Sequence, residues 1–341
     1  MAEKILDVAA GLILRGDGQL LLGQRPEGKP WSGWWELPGG KLEPGETVLQ
    51  ALARELQEEL GIRVTEATPW VTYVHVYPHT TVRLAFCRVT QWEGEPRGVE
   101  NQQLRWVDPA RATEVGDVLP ATLPPLRWLQ LPDTYGISNI GQAQGLPAFL
   151  QRLDAALAGG LRLVQLREPG WPEGADAASL HAALQAVLQR CRAAGAQVLV
   201  NSVHPRAWWT EADGVHLRAA DAAGLAADRA GDRAGEHAAE SGPAQALRAA
   251  LGPQAKVAVS THDARQVAVA RELEADFIVA GPVAATASHP GQAGVGWDGF
   301  EAIIADAGLP AYAIGGQGPE TLASARRHGA HGVAAIRAVF R

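Results

Sequence analysis

Glu55, Glu58 and Glu59 stand at i, i+3 and i+4 within the stretch Gly40 to Ile62, GKLEPGETVLQALARELQEELGI. On a helix these positions share one face, so three carboxylates would crowd a single turn. Like charges held so close repel, and a divalent cation relieves the repulsion. A hard ion such as Mg²⁺ takes oxygen ligands, with water and substrate phosphates completing its shell. The chemistry implied is metal-assisted attack on phosphorus, in which the ion neutralises phosphate charge and makes a bound water more acidic. An E-x-x-E-E run by itself is usually a solvated acidic face. Here it sits in a wider spacing: Gly40, five residues, Glu46, seven residues, Arg54-Glu55-Leu56, one residue, Glu58-Glu59, one residue, Gly61-Ile62.

The elements that must position these carboxylates are a loop and a helix. Pro44 and Gly45 break the chain, Thr47 is placed to cap a helix and Gly61 to stop it. Val48, Leu52, Leu56 and Leu60 recur every fourth residue as a buried stripe. Ahead of the loop, Ile5–Leu14 reads as an apolar strand, Gly16-Asp17-Gly18 as a turn and Gln19–Gln24 as the returning strand, with Arg25 at its end. Trp31, Trp34 and Trp35 follow. One or two of them are expected in the core, leaving another to stack on a base. Behind the helix, strands are expected over Trp70–Tyr77, Val82–Val89 and Leu104–Val107, with a polar loop at residues 92–102. Leu119–Pro125 opens a last helix that ends near Leu131.

The spaced pattern matches the Nudix box at every defined position. Residues 1–131 resemble the MutT-type branch of the Nudix hydrolases from end to end, on Arg25, the ELPGGK lead-in and the WEGEP-x-G-x-E loop. The resemblance implies an α/β/α sandwich that hydrolyses nucleoside triphosphates, notably 8-oxo-dGTP, to the monophosphate and pyrophosphate. That is a nucleotide-pool task allied to DNA repair. By position it implies Mg²⁺ or Mn²⁺ held by Glu55, Glu58, Glu59, Glu100 and the Gly39 carbonyl. Glu55, Glu58 and Glu100 would be catalytic, with Glu55 or Glu100 taking the proton from water. Arg54 would orient the glutamates. Arg25, Glu36, Leu37 and Thr122 would contact the substrate. Thr122 departs from the family, whose P-A-N motif has an asparagine reading the oxidised guanine edge. A hydroxyl lacks the amide's paired donor and acceptor, so a weaker preference for 8-oxoguanine is expected.

From Tyr135 the rhythm changes to short apolar strands alternating with helices. Strands are expected over Tyr135–Ser138, Leu161–Leu166, Gln197–Asn201, Gly214–Leu217, Lys256–Ser260, Asp276–Ala280, Pro310–Ile314 and Gly332–Ile336. Helices are expected over Asp176–Ala194 and Arg265–Leu273. Eight such units in about 200 residues predict a (β/α)₈ barrel over residues 132–341, with a doubly wound open sheet as the alternative. Working residues of a barrel sit at strand C-termini. Here these are Gln165 to Arg167, Asn201, His216, Asp221, Ser260 to His262, Gly281-Pro282, Gly315-Gly316 and Ala334-Ala335. Residues 219–241 are of low complexity, with a repeated R-A-G-D/E unit from Arg229 to Glu236, and read as a loose loop or helix without chemistry.

This second region resembles the thiamine-phosphate synthase/TenI family on VQLREP, the block from Asn201 that ends in ADGVHL, S-T-H, GPVAATAS and AIGGQ. The synthase branch joins a pyrimidine pyrophosphate to a thiazole phosphate with Mg²⁺. It uses two lysines and an aspartate where this chain has Pro169, His289 and Ser202, and Asp221 is the remaining Mg²⁺ carboxylate. The resemblance therefore implies the TenI branch, a thiazole tautomerase with His262 as proton shuttle, and not a synthase. Arg167, Asn201, Asp221, Gly315 and Gly316 would hold a thiazole phosphate. Two alternatives stand beside this: a first domain hydrolysing thiamine diphosphate analogues, and a barrel that binds or regulates without catalysis.

The totals agree with a two-domain enzyme. The chain has 341 residues, 47% of them hydrophobic and 20% charged, and a formal charge of −7. That length exceeds one ordinary core, and the acidic balance argues against direct DNA binding. Cys87 and Cys191 form no metal or redox motif, as expected in a reducing cytoplasm. No signal pattern or membrane-spanning apolar run is evident.

Overall fold

Nine residues of extended chain, β1 (Ile5–Ile13), open the first of two units in the computed structural model, which describes residues 5–232, 242–285 and 293–341. There follow β2 (Leu20–Gln24), β3 (Trp35–Glu36), β4 (Gly39–Lys41), α1 (Val48–Leu60), β5 (Arg63–Tyr77), β6 (Thr80–Glu93), β7 (Leu104–Val107) and α2 (Leu123–Trp128). One sheet runs β4-β1-β6-β5, with β1 parallel to β6 and antiparallel to β4. A second runs β3-β2-β7. Both faces are covered, because side chains alternate along a strand. Leu20 and Leu22 join one apolar cluster with Leu12, Trp35 and Phe86, while Leu21 joins another with Ile13, Leu52 and Leu56. The expected α/β sandwich is what forms.

Helix α1 begins and ends where its residues dictate. The Thr47 hydroxyl accepts the Gln50 N–H at 3.3 Å and Gln50 Oε1 accepts the Thr47 N–H at 2.8 Å, so two otherwise orphaned donors are satisfied. Gly61 closes the helix in the left-handed conformation, at φ 67°. Leu52, Leu56 and Leu60 are fully buried, each worth about 1.5–3 kcal/mol. That stripe presses α1 against β1, β4 and β5 and fixes which way its acidic face turns. Two short strands, β3 and β4, occupy what the sequence reads as loop. They exist because β2 and β1 offer them partners.

The second unit runs β8 (Thr134–Ile137), α3 (Leu146–Ala158), β9 (Leu163–Leu166), α4 (Ala178–Ala193), β10 (Gln197–Asn201), β11 (Gly214–Leu217), α5 (Ala219–Asp232), α6 (Pro243–Leu251), β12 (Lys256–Thr261), α7 (Ala264–Glu272), β13 (Phe277–Ala280), α8 (Gly296–Ile304), β14 (Ala311–Ile314), α9 (Leu322–Arg327) and β15 (Gly332–Ala335). All eight strands are parallel, and β15 pairs back onto β8 to close the barrel. Closure excludes the open doubly wound sheet. Most strand residues are buried on both faces, as parallel strands under helices must be. Part of the low-complexity stretch is helical as α5; residues 233–241 and His289 lie outside the described residues. Among the described residues no helix is long and apolar enough to cross a membrane.

Candidate functional site

In the first unit the glycine pair beneath α1 lets the carboxylates approach the backbone. A Cβ on Gly39 (φ +144°) would fall 2.1 Å from the Ala9 carbonyl oxygen, and one on Gly40 would fall 2.2 Å from Glu55 Cδ. Glu55 therefore lies directly over the bare chain at Gly40, and Gly39 donates its N–H to Glu59 Oε2 at 3.3 Å. Arg54 ties the acidic residues together. It donates to both Glu46 oxygens at 2.8 and 2.9 Å, to Glu55 Oε1 at 2.8 Å, to Glu58 Oε2 at 3.4 Å and to the Lys41 carbonyl at 3.0 Å. Those bonds hold the Glu46 carboxyl down at about 2.

Beside this helix lies a small cavity lined by Gln24, Lys29, Glu36, Glu59, Glu100 and Gln102, among others. Its acidic wall is held by backbone bonds, since Val99 N–H and Gln102 Nε2 both donate to the Glu59 carbonyl, at 3.0 and 2.9 Å. Lys29 Nζ donates to Glu100 Oε2 at 2.6 Å, which raises the ammonium pKa. Arg25 donates to Glu36 at 2.5 Å and to the Pro30 carbonyl at 2.8 Å. Burial pushes the Glu36 carboxyl up despite that arginine. Glu59 is pushed up to about 7, chiefly by burial, with Glu100, Glu36 and Glu55 adding like charge and the Gly39 N–H opposing.

Every donor offered here is oxygen, and the partly buried carboxylates of Glu55 and Glu59, with the more exposed Glu100 on the same cavity wall as Glu59, are a set that a hard divalent cation would relieve. The residues fit such an ion. Among the described residues, however, no three acidic, histidine or cysteine side chains converge closely enough to enclose one. Glu58 is the outlier of the expected set, since its carboxylate is 61% exposed and pairs with Arg54. Leu37 is 5% exposed within the apolar core, so its side chain packs the fold. Thr122 is buried in the turn before α2, and its hydroxyl makes no hydrogen bond among the described residues. Of the tryptophans, Trp35 is core, while Trp31 is exposed, takes a left-handed backbone at φ 63° and meets Trp34 edge-on at 4.7 Å.

In the barrel, a buried chain of hydrogen bonds threads the strands. Asn201 Nδ2 donates to Gln165 Oε1 at 2.9 Å, and Gln165 Nε2 donates to His216 Nδ1 at 2.9 Å and to the Tyr135 hydroxyl at 3.0 Å. His216 Nε2 lies 2.8 Å from Ser260 Oγ. Burial, with Arg167 adding, drives His216 down to about 3, so the imidazole is neutral and Nε2 carries its proton. His262 follows β12 with Nδ1 2.6 Å from the Gly281 carbonyl. A carbonyl only accepts, so Nδ1 bears the hydrogen and Nε2 is the basic nitrogen of the neutral ring. Gly315 and Gly316 both take positive φ, backed by Pro282 and Ala284. Arg167 is partly buried at the end of β9. Asp221 lies in the first turn of α5, bonded to Ser202 and Arg218.

The sequence reading leaves out Lys29, Gln165 as a network member, His216 as its centre, and Arg218. The first has no sequence signal, since it meets a carboxylate 71 positions away. Arg218 and Asp221 do have one, the i, i+3 spacing of an ion pair on a helix.

Comparison with known proteins agrees with both halves. The NUDIX domain family matches residues 5–129, and the family described as thiamine monophosphate synthase (TMP-TENI) matches residues 135–339. An 8-oxo-dGTP diphosphatase of Haemophilus influenzae is 42% identical over 121 residues, covering 36% of this chain and 88% of that protein. A CTP pyrophosphohydrolase of Escherichia coli is 37% identical over 121 residues, with the same 36% and 88% coverage. A thiamine-phosphate synthase of Laribacter hongkongensis is 33% identical over 198 residues, covering 57% of this chain and 81% of that protein. The chain therefore belongs to the Nudix hydrolases through its first unit and to the thiamine monophosphate synthase (TMP-TENI) family through its barrel.

Proposed function

We propose that the first unit is a Mg²⁺-dependent pyrophosphohydrolase of nucleoside triphosphates, including oxidised ones such as 8-oxo-dGTP, releasing the monophosphate and pyrophosphate. The observation that carries this is that Glu59, Glu100 and Glu36 line one cavity, while Glu55 on the same helix as Glu59 lies over the bare chain at Gly40. Glu55, Glu59, Glu100 and the Gly39 carbonyl would hold the cation, which supplies charge neutralisation and a more acidic water when bound. Glu55, steadied by Arg54, or Glu100 then takes the proton of the attacking water. Arg25 and Lys29 place positive charge where phosphates enter. The test is turnover of 8-oxo-dGTP, dGTP and CTP by the full chain with Mg²⁺, beside Glu55→Gln. A loss of about a thousandfold or more is expected for the variant; Mg²⁺-dependent turnover within about tenfold of the parent would overturn the reading. A second reading, preference for an unmodified base, is favoured by Thr122 where an amide is expected and by the similarity to a CTP pyrophosphohydrolase.

For the barrel we infer a phosphate-ligand site working as a thiazole tautomerase, with His262 Nε2 as the proton carrier. The carbonyl of Gly281 fixes the needed tautomer. The curated relatives named as synthases argue the other way. Against them stand Pro169 and Ser202, which supply neither the lysine nor the aspartate that handling pyrophosphate calls for. Assaying the full chain for both activities decides it: synthase turnover, or tautomerase activity retained in His262→Asn, contradicts this assignment.

A further inference from the structure

Asp221 is the carboxylate that the synthase resemblance leaves as a magnesium ligand, and the structure has already committed it. Its Oδ2 accepts the Ser202 hydroxyl and, at 2.6 Å, Arg218 Nε, while Oδ1 accepts Arg218 Nη2 at 2.9 Å. Ser202 Oγ in turn accepts the Arg218 backbone N–H at 2.9 Å. Residues 202, 218 and 221 thus form a closed ring in which a two-pronged guanidinium occupies the face a cation would need. These bonds outweigh burial and hold the Asp221 carboxyl below its usual range. Ser202, placed where the synthase has its other carboxylate, donates to Asp221 and adds no charge. The donor set does not fit a divalent ion.

Positive charge is present without one. Arg167, at the end of β9, is partly buried, and its guanidinium makes no hydrogen bond or ion pair among the described residues. Its backbone N–H is fixed to Ser138 Oγ at 2.9 Å. The neighbouring Glu168 carboxylate is spent elsewhere, accepting Ser138 Oγ, Ile140 N–H and Gly141 N–H at 2.6, 2.8 and 3.0 Å. Burial disfavours Arg167's charge; the neighbouring Glu168 carboxylate offsets part of this, Arg218 adds to it, and the net effect is to lower the guanidinium pKa. A partly desolvated guanidinium with no direct hydrogen bond to a carboxylate is further stabilised by an anion.

We propose that the barrel binds its phosphate-bearing ligand without a divalent cation, through Arg167 and the Arg218–Asp221 pair at the strand C-termini. Asp221 acts as the anchor of Arg218, not as a metal ligand. The proposal rests on the reading of the barrel as a phosphate-ligand site.

Inorganic phosphate binding to the full chain, by calorimetry in EDTA and again in Mg²⁺, tests it. Affinity is expected to agree within about twofold between the two buffers, to fall about tenfold in Arg167→Gln and to recover in Arg167→Lys. In Arg218→Gln the freed Asp221 is expected to make phosphate binding respond to Mg²⁺. Binding that needs Mg²⁺ in the parent and disappears in Asp221→Asn would overturn metal independence while leaving the phosphate-ligand reading in place. EDTA-insensitive binding untouched by Arg167→Gln would move the anion elsewhere and overturn the assignment. Absence of phosphate binding in both buffers would overturn the phosphate-ligand reading, and the proposal with it.

Discussion

Lys29 Nζ sits 2.6 Å from Glu100 Oε2, so the chain places its own ammonium on a carboxylate that the Nudix resemblance assigns to the metal. Lys29 also feels Glu59, and Arg25 stands near enough to oppose its charge. An internal cation and a divalent ion compete for the same negative potential. Replacing Lys29 by Met is therefore expected to tighten Mn²⁺ binding to the nucleotide-free chain. The pair is nearly half exposed, at 46% and 44%, so the gain is modest, about two- to fivefold. Electron paramagnetic resonance of free Mn²⁺ reads it directly. Unchanged or weaker binding means that Lys29 does not oppose the ion.

Glu59 gives a prediction in which stability and activity move apart. Its carboxyl is raised to about 7 in the fold, against about 4.3 when exposed. A raised pKa means the favourable, protonated state is fully present below the unfolded value and is lost as pH rises through 7. Above that, a charged Glu59 sits among Glu100, Glu36 and Glu55. In EDTA at pH 8, Glu59→Gln is expected to be more stable than the parent by about 1 kcal/mol, after discounting for solvent screening. The difference should shrink as pH falls and vanish below about pH 4, under the unfolded value, while hydrolysis in Mg²⁺ is lost in the variant. Thermal unfolding at the two pH values checks it, and a variant less stable at pH 8 contradicts it.

How far the sequence carries depends on where each signal lives. Helix α1 was legible to within its caps because Thr47, Gly61 and the Leu52-Leu56-Leu60 stripe are local features. Strands β10 and β11 matched residue for residue, since short parallel strands buried on both faces are plain apolar runs. Strands β3 and β4 were invisible: Trp35-Glu36 and Gly39–Lys41 have no alternation and become strands only beside β2 and β1. β5 runs from Arg63, well ahead of the expected Trp70, because its polar opening residues are held by pairing to β6 and not by burial. In the sites, spacing placed Glu55 and Glu59 on one helix face. It could not tell that the Glu58 carboxylate would be 61% exposed beside Arg54, or that Asp221 would be taken by Arg218.

Thr122 bears on base selection. The residue is 5% exposed and its hydroxyl makes no hydrogen bond among the described residues, which leaves that hydroxyl available to a ligand. One hydroxyl cannot match an amide that donates and accepts at fixed separation. Thr122→Asn is expected to raise the ratio of kcat/KM for 8-oxo-dGTP over dGTP by about tenfold or more, the scale set by satisfying a buried polar edge. A ratio that stays put would show that residue 122 does not face the base.

His216 makes the barrel acid-sensitive by a calculable amount. Buried among Tyr135, Gln165 and Ser260, with the positive Arg167 nearby, it is lowered from 6.5 to about 3. An unfolded chain takes up a proton near pH 6.5 that the folded barrel refuses until about pH 3. The stability His216 confers is thus complete above pH 6.5 and is lost as pH falls toward 3. Within that window it contributes a slope of up to about 1.4 kcal/mol per pH unit. His216→Gln keeps an acceptor for Gln165 and a donor for Ser260 while removing the titration. Hydrogen exchange of the β10, β11 and β12 amides between pH 4.5 and 6.5, corrected for intrinsic exchange, reads barrel opening separately from the first unit. The variant is expected to lose close to one proton's worth of pH slope. A parent and variant with parallel pH profiles would assign the acid sensitivity to another group, with His204, also lowered by burial, the next to test.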